Sequence, residues 1–245
     1  MLKLTDYFGA FGAQVTTLIG CGGKTSALWT LAESKRAYRT LVTTTTHTSP
    51  RSDSDACYDC ALGTFMPRLH YDKGVHYAEA EKGITFIYKA LPLDALEQCI
   101  PHYEYVFIEG DGSRSLPLKA WADYEPVVTA STNITVGILP LWTLGMPITE
   151  SIVHRLPLFL ELSGAKHGDT LALKHLAALI VGNGTQGGLF KAARGKKILF
   201  FNQVEDDRTL DSARELVEML PEDFKRTLHG IIAGSVQNDS IVVLR

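Results

Sequence analysis

Six short stretches of apolar and β-branched residues divide the chain. They cover residues 15–20, 40–45, 105–109, 133–139, 197–201 and 227–232. Several are apolar at almost every position, which is typical of parallel strands buried on both faces of a sheet. Segments between them carry apolar residues at helical spacing, at residues 25–36, 169–180 and 208–220, with Asp169 placed to cap the second. Strands that alternate with helices predict an α/β fold with a doubly wound, mainly parallel sheet.

Two segments interrupt this alternation. Residues 75–78 and 84–88 are strand-like runs joined by a short charged connection, which predicts a small antiparallel excursion. Residues 49–73 are rich in Asp, Ser and Pro and lack periodicity, so we expect a loop or lid. We expect one domain over residues 1–245, with residues 140–168 as a candidate cap or insertion.

Composition and charge narrow the class of protein. Of the 245 residues, 45% are hydrophobic and 21% are charged, and the formal net charge is −3. Such a chain has no general attraction to nucleic acid or to an anionic membrane. The first residues show no basic segment followed by a long apolar run, and no apolar stretch approaches ~18 residues. We therefore expect a cytoplasmic protein without nucleic-acid or membrane partners.

The cysteines do not form a recognisable metal pattern. Cys57 and Cys60 have C-x-x-C spacing, but a structural zinc site needs a second pair of ligands. The nearest histidines, His47 and His70, match no zinc spacing. We interpret the pair as reduced thiols on a surface segment, and Cys21 as a small filler residue.

The segment with the clearest chemistry is G-x-G-G-K-T at residues 20–25, called here the glycine loop. It follows an apolar strand and precedes a helical pattern, as a phosphate-binding loop does. Glycines let backbone N–H groups approach phosphate oxygens, Lys24 can reach the β- and γ-phosphates, and Thr25 can offer its hydroxyl to Mg²⁺. The residues predicted to bind nucleotide in this segment are Gly20, Gly22, Gly23, Lys24, Thr25 and Ser26.

The loop is shorter than the full pattern G-x-x-x-x-G-K-[ST], which would require glycine where Leu18 stands. Mur-type amide ligases have a loop of the same spacing. The glycine loop therefore predicts a P-loop NTPase-like site and leaves open a ligase or a kinase that acts on a small acid.

A second apolar strand ends in two carboxylates, Glu109 and Asp111. In extended backbone these residues project from the same face, so both could serve one Mg²⁺. Lys24, Glu109 and Asp111 are the predicted catalytic residues. Thr45 comes from a run of four threonines at the end of another strand and joins Thr25 and the two acids as a candidate Mg²⁺ ligand.

Several cations and polar residues near these strands are candidate substrate contacts. His47 follows the threonine run, where it could act as an acid or base, and Arg114 and Lys119 follow the acidic strand. His154 would join Arg114 and Lys119 in binding the acid of the ligase alternative.

Residues 202–205 are similar to the guanine-reading N-K-x-D motif of GTPases. Here Gln203 replaces the lysine and Glu205 replaces the aspartate. Asn202 and Glu205 are therefore predicted to contact a nucleotide base, while the choice between ATP and GTP stays open.

Taken together, these motifs resemble the YqeC family, whose members are described as selenium-dependent hydroxylase accessory proteins. The resemblance covers most of the chain. It is carried by residues 20–25, T-T-T-T-H at 43–47, E-x-D-G-S-R at 109–114, P-L-K-A at 117–120, E-P at 125–126, His154-Arg155 and N-x-V-E at 202–205.

The resemblance implies a P-loop protein that helps mature a molybdenum hydroxylase carrying labile selenium. It adds Arg155 to the candidate substrate residues, and the hydroxylase or its cofactor to the expected partners. Our first hypothesis is a Mg²⁺-dependent NTPase that uses ATP or GTP in this maturation. The alternatives are the ATP-dependent ligase or kinase named above, and a nucleotide or cofactor carrier without catalytic activity.

Overall fold

A nine-stranded sheet forms the centre of the molecule. The computed structural model describes residues 2–46, 57–58, 72–78, 80–82, 88–90, 92–183 and 187–245. The strands are β1 Val15–Gly20, β2 Arg39–Thr44, β3 Cys57–Tyr58, β4 Gly74–Ala78, β5 Ala80–Lys82, β6 Tyr88–Lys89, β7 Tyr105–Glu109, β8 Leu118–Lys119, β9 Ile134–Pro140, β10 Val153–His154, β11 Lys196–Asn202, β12 Gly230–Ser235 and β13 Ser240–Val243. The central sheet has the order β13-β12-β11-β9-β1-β7-β2-β4-β3.

All neighbouring pairs in this sheet are parallel except β12 with β13 at one edge. Every residue of β1, β9 and β12 is buried, as their near-continuous apolar sequences predict. The helices are α1 Leu4–Gly9, α2 Lys24–Glu33, α3 Leu93–Cys99, α4 Leu156–Ser163, α5 Leu173–Val181, α6 Asp207–Met219 and α7 Glu222–Arg226, with a 3₁₀ turn at Ile100–His102.

Helices cover both faces of the sheet. Apolar residues of α1 and α2 pack with one set of alternating strand residues, among them Leu18 and Phe200. Residues of α4, α5 and α6 pack with the opposite set, among them Ile19 and Phe201. This confirms the predicted α/β class and the doubly wound, mainly parallel sheet. The expectation of one domain over residues 1–245 stays a prediction.

Residues 75–78 do not form the predicted hairpin. They belong to β4, which pairs in parallel with β2 in the central sheet, with Val75 opposite Thr40. Four consecutive buried positions in β4 explain the difference, because a strand in a surface hairpin would bury only alternate residues. The small antiparallel excursion is formed instead by β5 and β6, and residues 84–87 lie outside the described part of the chain.

Element boundaries differ modestly from the sequence patterns. The helix expected from Asp169 begins at Leu173, because the Asp169 carboxylate instead accepts a hydrogen bond from the Lys166 N–H in a turn. The last parallel strand begins at Gly230 rather than Thr227, whose hydroxyl donates to the carbonyl of Phe224 after α7. Within the predicted loop at 49–73, residues 57–58 form β3; most of the remainder lies outside the described residues.

The order of strands places the site. Strand β1 lies between β9 and β7, and the chain leaves β1 through α2 to reach β2 on the far side of β7. The carboxyl ends of β1, β7 and β2 therefore meet beside a point where the connections change direction, which is where α/β sheets bind ligands. Among the described helices none has the length and apolar character needed to cross a membrane.

Candidate functional site

The glycine loop turns sharply between β1 and α2. Gly20, Gly22 and Gly23 have φ angles of 97°, 77° and 111°, in the left-handed region that favours glycine. A Cβ on Gly22 would lie 2.5 Å from the Pro140 ring, and one on Gly23 would collide with the Asn202 amide nitrogen. Both backbone shape and close packing therefore require glycine at these two positions.

Lys24, the first residue of α2, has its ammonium group inside the site. Its side chain is only 4% exposed, and Nζ donates to the Gly20 carbonyl at 2.6 Å. The same nitrogen lies 3.6 Å from Glu109 Oε1 and 3.5 Å from Asp111 Oδ1. Burial disfavours the charged form, but the two carboxylates outweigh it and raise the pKa of Lys24 above its usual value. The lysine is therefore an ammonium held between two acids.

Glu109 ends β7 and faces the start of α2. Its Oε2 accepts a hydrogen bond from the Thr25 hydroxyl at 3.0 Å, and the residue is 9% exposed. Burial raises the pKa of Glu109 above the usual glutamate range, against the opposing effect of Lys24. A carboxylate with a raised pKa next to a hydroxyl and an ammonium can accept a proton or orient water.

The Asp111 carboxylate has more hydrogen-bond and ion-pair partners than the Glu109 carboxylate. It is 0% exposed, and its two oxygens accept from the Gly20 N–H at 3.0 and 3.1 Å. Trp121 Nε1 donates to Oδ2 at 2.6 Å, and Lys119 Nζ lies 3.2 Å from the same atom. Asp111 thus ties the glycine loop to the segment that follows β7.

A chain of ion pairs continues from Asp111 through Lys119 and Glu125 to Arg155. Lys119, on β8 and 0% exposed, also donates to Glu125 Oε2 at 3.1 Å and to the Gly112 carbonyl at 2.6 Å. Glu125 in turn accepts from Arg155, whose second nitrogen donates to the Tyr124 hydroxyl at 3.1 Å. Burial works against the charged form of Glu125, but hydrogen bonds from Arg155 and Lys119 lower its pKa below the usual value.

Six side chains therefore form one row of alternating charge, called here the charge row. Its order is Glu109, Lys24, Asp111, Lys119, Glu125, Arg155. Three cations and three carboxylates cancel, so the row has no net charge. A neutral row avoids the large free-energy cost of burying an unpaired ion.

The threonine run lies beside the acids. Thr45 Oγ1 donates to the carbonyls of Val127 at 2.8 Å and Glu109 at 3.3 Å, and the Thr44 hydroxyl donates to Glu109 O at 3.1 Å. These contacts bind the end of β2 to the end of β7. His47 lies outside the described residues.

Asn202 and Glu205 lie at the other side of the loop. The Asn202 amide donates to the Gly22 carbonyl at 2.8 Å, and its oxygen accepts from the Val236 N–H at 3.0 Å. Glu205 is exposed and accepts from the Ser235 hydroxyl at 2.7 Å. Asn202 thus supports the glycine loop from β11, and the predicted contact of both residues with a base stays a prediction.

The remaining candidate residues lie at the edge of the site. Arg114 is exposed, with φ 52° in a turn after β7. Ser26, which was predicted to bind nucleotide, is exposed in the first turn of α2. His154 is the last residue of β10 and precedes Arg155. Burial, followed by the positive charges of Arg155, Lys119 and Arg114, lowers the pKa of His154 to about 4, so its imidazole is neutral at pH 7. A neutral imidazole supplies no positive charge to an acidic substrate.

Two residues of the site were not among the sequence candidates. Trp121 supports Asp111, and its sequence context gives no sign of this contact. Glu125 links Lys119 to Arg155, and its only signal was the E-P pair at 125–126. Their partners are separated from them by 6 to 30 residues in the chain, so only the folded backbone brings them together.

The side-chain oxygens of the site are not equally available to coordinate Mg²⁺. In the described part of the chain no group of three or more His, Cys, Asp or Glu side chains is arranged to hold a metal ion. Mg²⁺ in nucleotide sites typically takes one or two protein oxygens together with phosphate and water. Thr25 and Glu109 fit this need, whereas both Asp111 oxygens are already occupied by donors.

Cys21, within the loop, is buried, and burial raises the pKa of its thiol to about 12. It is therefore a protonated, apolar group at neutral pH, in agreement with its interpretation as a filler. The side chains of Cys57 and Cys60 lie outside the described residues.

Comparison with known proteins gives a consistent result. A family model described as YqeC protein matches residues 16–157, which include the glycine loop and the whole charge row. A protein of Escherichia coli strain K12, named Uncharacterized protein YqeC, is 29% identical over 245 residues, covering 96% of this chain and 93% of the relative. Since the family match spans more than half of the chain, this protein belongs to the YqeC family.

Proposed function

We propose that this protein binds a nucleoside triphosphate with Mg²⁺ at the glycine loop and hydrolyses it. The observation that carries the proposal is the Lys24 ammonium, held at the start of α2 between Glu109 and Asp111 and beside three glycines of positive φ. Free N–H groups at this helix start and a buried ammonium are both suited to phosphate oxygens.

The neutrality of the charge row supports a requirement for Mg²⁺ in nucleotide binding. Because the charge row is neutral, Lys24 is already balanced by carboxylates, and a triphosphate would add several uncompensated negative charges. A divalent cation held by Thr25 and Glu109 would supply the missing positive charge at the transferred phosphoryl group. Lys24 would bind phosphate oxygens, and the Glu109 carboxylate would orient water for the hydrolysis.

The role in the cell follows the family resemblance. We propose that hydrolysis assists the maturation of a selenium-dependent molybdenum hydroxylase, through contact with that enzyme or its cofactor. Slow basal hydrolysis that rises when the hydroxylase is added is the expected behaviour.

Phosphate release from Mg·ATP and Mg·GTP tests the proposal. We expect Lys24→Ala to lower the rate at least ~100-fold, the loss typical of removing one group that stabilises transition-state charge. Lys174→Ala removes an exposed lysine of α5 and serves as the matched control. Thermal unfolding of both variants checks that they fold, and Lys24→Arg provides a variant that keeps the buried charge.

Equal phosphate release by wild type and both Lys24 variants, all of them folded, would refute hydrolysis at this loop. Nucleotide binding without turnover, even with the hydroxylase present, would favour the carrier alternative. An acyl-phosphate or adenylate that forms only when a small acid is supplied would favour the ligase or kinase.

A further inference from the structure

A second concave surface lies beside the charge row. It is an open cleft of about 500 Å³, lined by residues 124, 126–128 and 191–194, and called here the side cleft. Neither the glycine loop nor the acids Glu109 and Asp111 line it. Its volume lies within the range of sites that bind small molecules.

The charged groups that line the side cleft are both cationic. Arg194 is exposed, and its guanidinium makes no ion pair or hydrogen bond with any described residue. Lys191 donates to the Ala122 carbonyl at 2.7 Å, which uses one of its three N–H groups. The nearby acids are Asp123, which is exposed, and Glu125, which is already paired with Lys119 and Arg155. The cleft therefore offers an anion the Arg194 guanidinium and the remaining N–H groups of Lys191, and neither side chain forms an ion pair with a described residue.

An aromatic ring stands at the same opening. Tyr124 is 72% exposed, although its ring could bury a large apolar surface. Arg155 holds the Tyr124 ring in place. The guanidinium carbon lies 5.5 Å from the ring centroid, and a guanidinium nitrogen donates a hydrogen bond to the Tyr124 hydroxyl. Arg155 is itself held by Glu125. An exposed ring that is fixed before binding can stack on a flat ligand at low entropic cost.

The remaining lining residues are apolar or small. They are Pro126, Val127, Val128, Ala192 and Ala193. The accessible surface of the side cleft is nonetheless more polar than apolar, which suits a ligand that carries charge.

We propose that the side cleft binds a small molecule in which a flat ring carries a phosphate group. The phosphate pairs with Lys191 and Arg194, and the ring packs on Tyr124 and the apolar wall. Two cations match the charge of a phosphate monoester, which is about −1.5 to −2 at pH 7.

The position of the side cleft connects it to the nucleotide site. Val127, a wall residue, donates its N–H to the Gly110 carbonyl at 2.9 Å and accepts from the Thr45 hydroxyl. Tyr124 contacts Arg155, the outer end of the charge row. If the proposed hydrolysis holds, the ligand of the side cleft is its second substrate or cargo. This last step rests on the proposed function, whereas binding in the cleft does not.

Calorimetric titration with pyridoxine 5′-phosphate, a ring phosphate, tests the proposal in the absence of nucleotide. We expect saturable binding that is weakened at least ~10-fold by Arg194→Ala, since a hydrogen bond to a charged group typically contributes about that much. Tyr124→Ala should weaken binding while Tyr124→Phe retains it. Arg208→Ala, at an exposed arginine of α6, is the matched control and should bind as wild type does. Pyridoxine without phosphate should bind at least ~10-fold more weakly than the phosphate.

Labelling then locates the ligand. Pyridoxal 5′-phosphate condenses with a lysine amine, losing water, and borohydride adds hydride to the imine carbon so that the adduct survives peptide mass spectrometry. In the adduct Lys191 forms the imine with the aldehyde carbon, and Arg194 remains to pair with the phosphate. Preferential labelling of Lys191, blocked by pyridoxine 5′-phosphate, supports the side cleft. Labelling of Lys24 instead, uniform labelling of surface lysines, or binding unchanged by Arg194→Ala and Tyr124→Ala would overturn it. None of these outcomes depends on nucleotide hydrolysis.

Discussion

Asp111 shows how much one side chain contributes to the site. It accepts from a glycine-loop N–H and from Trp121, and it separates the ammonium groups of Lys24 and Lys119. The sequence identified Asp111 as an acid at a strand end, because its strand and its spacing from Glu109 are local features. It could not reveal that Asp111 is fully enclosed, since Lys119 and Trp121 reach it only through the fold. Catalytic and supporting acids look alike in sequence.

We expect Asp111→Asn to destabilise the protein by roughly 3–5 kcal/mol. The amide keeps the shape of the carboxylate but leaves two buried lysines short of a partner, and breaking a buried pair costs about this much. Urea unfolding monitored by circular dichroism measures the change. Asp211→Asn, which removes an exposed carboxylate paired with Arg214, should change stability by less than ~1 kcal/mol. A loss at Asp111 no larger than that of the control would show that Asp111 does not hold the site together.

His154 gives stability a dependence on pH. Its pKa is about 4 in the folded protein and near 6.5 in the unfolded chain, so the unfolded chain binds the proton more readily. Its contribution is complete above pH 6.5 and is lost as the pH falls toward about 4. Urea unfolding at pH 7, 5.5 and 4.5 should show a smaller loss of stability for His154→Gln than for wild type. Parallel losses in the two proteins would contradict the shift.

Among the strands, the sequence pattern is most informative where burial is uniform along the strand. The runs at 15–20 and 105–109 match β1 and β7 residue for residue, because strands buried on both faces keep an almost unbroken run of apolar and β-branched residues. The prediction of a hairpin at 75–78 is wrong, since a short apolar segment does not indicate which strand it pairs with. Partner choice depends on contacts distant in sequence, which local patterns do not contain.

The contact between the glycine loop and β11 yields a prediction for Gly23→Ala. An added Cβ meets both an unfavourable positive φ and the Asn202 amide, so we expect a loss of roughly 1–3 kcal/mol in unfolding free energy. The loss should shrink in an Asn202→Ala background, where only the backbone strain remains.

Gly168→Ala is the matched control for this cycle. Gly168 has φ 84°, but a Cβ added there would meet no described atom within 4 Å, so its substitution reports backbone strain alone. If Gly23→Ala costs no more than Gly168→Ala in urea unfolding, the packing of the loop against Asn202 contributes nothing.

For the molecule as a whole, the neutral charge row governs which ligand form can bind. A triphosphate without metal would place its charges beside Glu109 and Asp111, whereas the Mg²⁺ complex brings a compensating cation. We expect Mg·ATP or Mg·GTP to raise the melting temperature, and the same nucleotide with EDTA to leave it nearly unchanged.

A ligand that binds only the folded state at 100 times its Kd adds about 2.7 kcal/mol, so the shift should be several degrees. Thermal unfolding followed by fluorescence measures it. An equal shift with EDTA would contradict the proposed need for the metal.

Contacts of the segment between β7 and β9 limit where insertions and deletions can be tolerated in this part of the chain. Lys119, Trp121 and the peptide of Val127 each meet the strand ends at a fixed point, whereas residues 113–115 form a turn that reaches solvent. Insertions and deletions among relatives should therefore be absent from 119–127 and fall, where they occur, at the exposed end of the turn at Ser115. An alignment of relatives with gaps inside 119–127 would show that these contacts do not constrain the spacing of the chain.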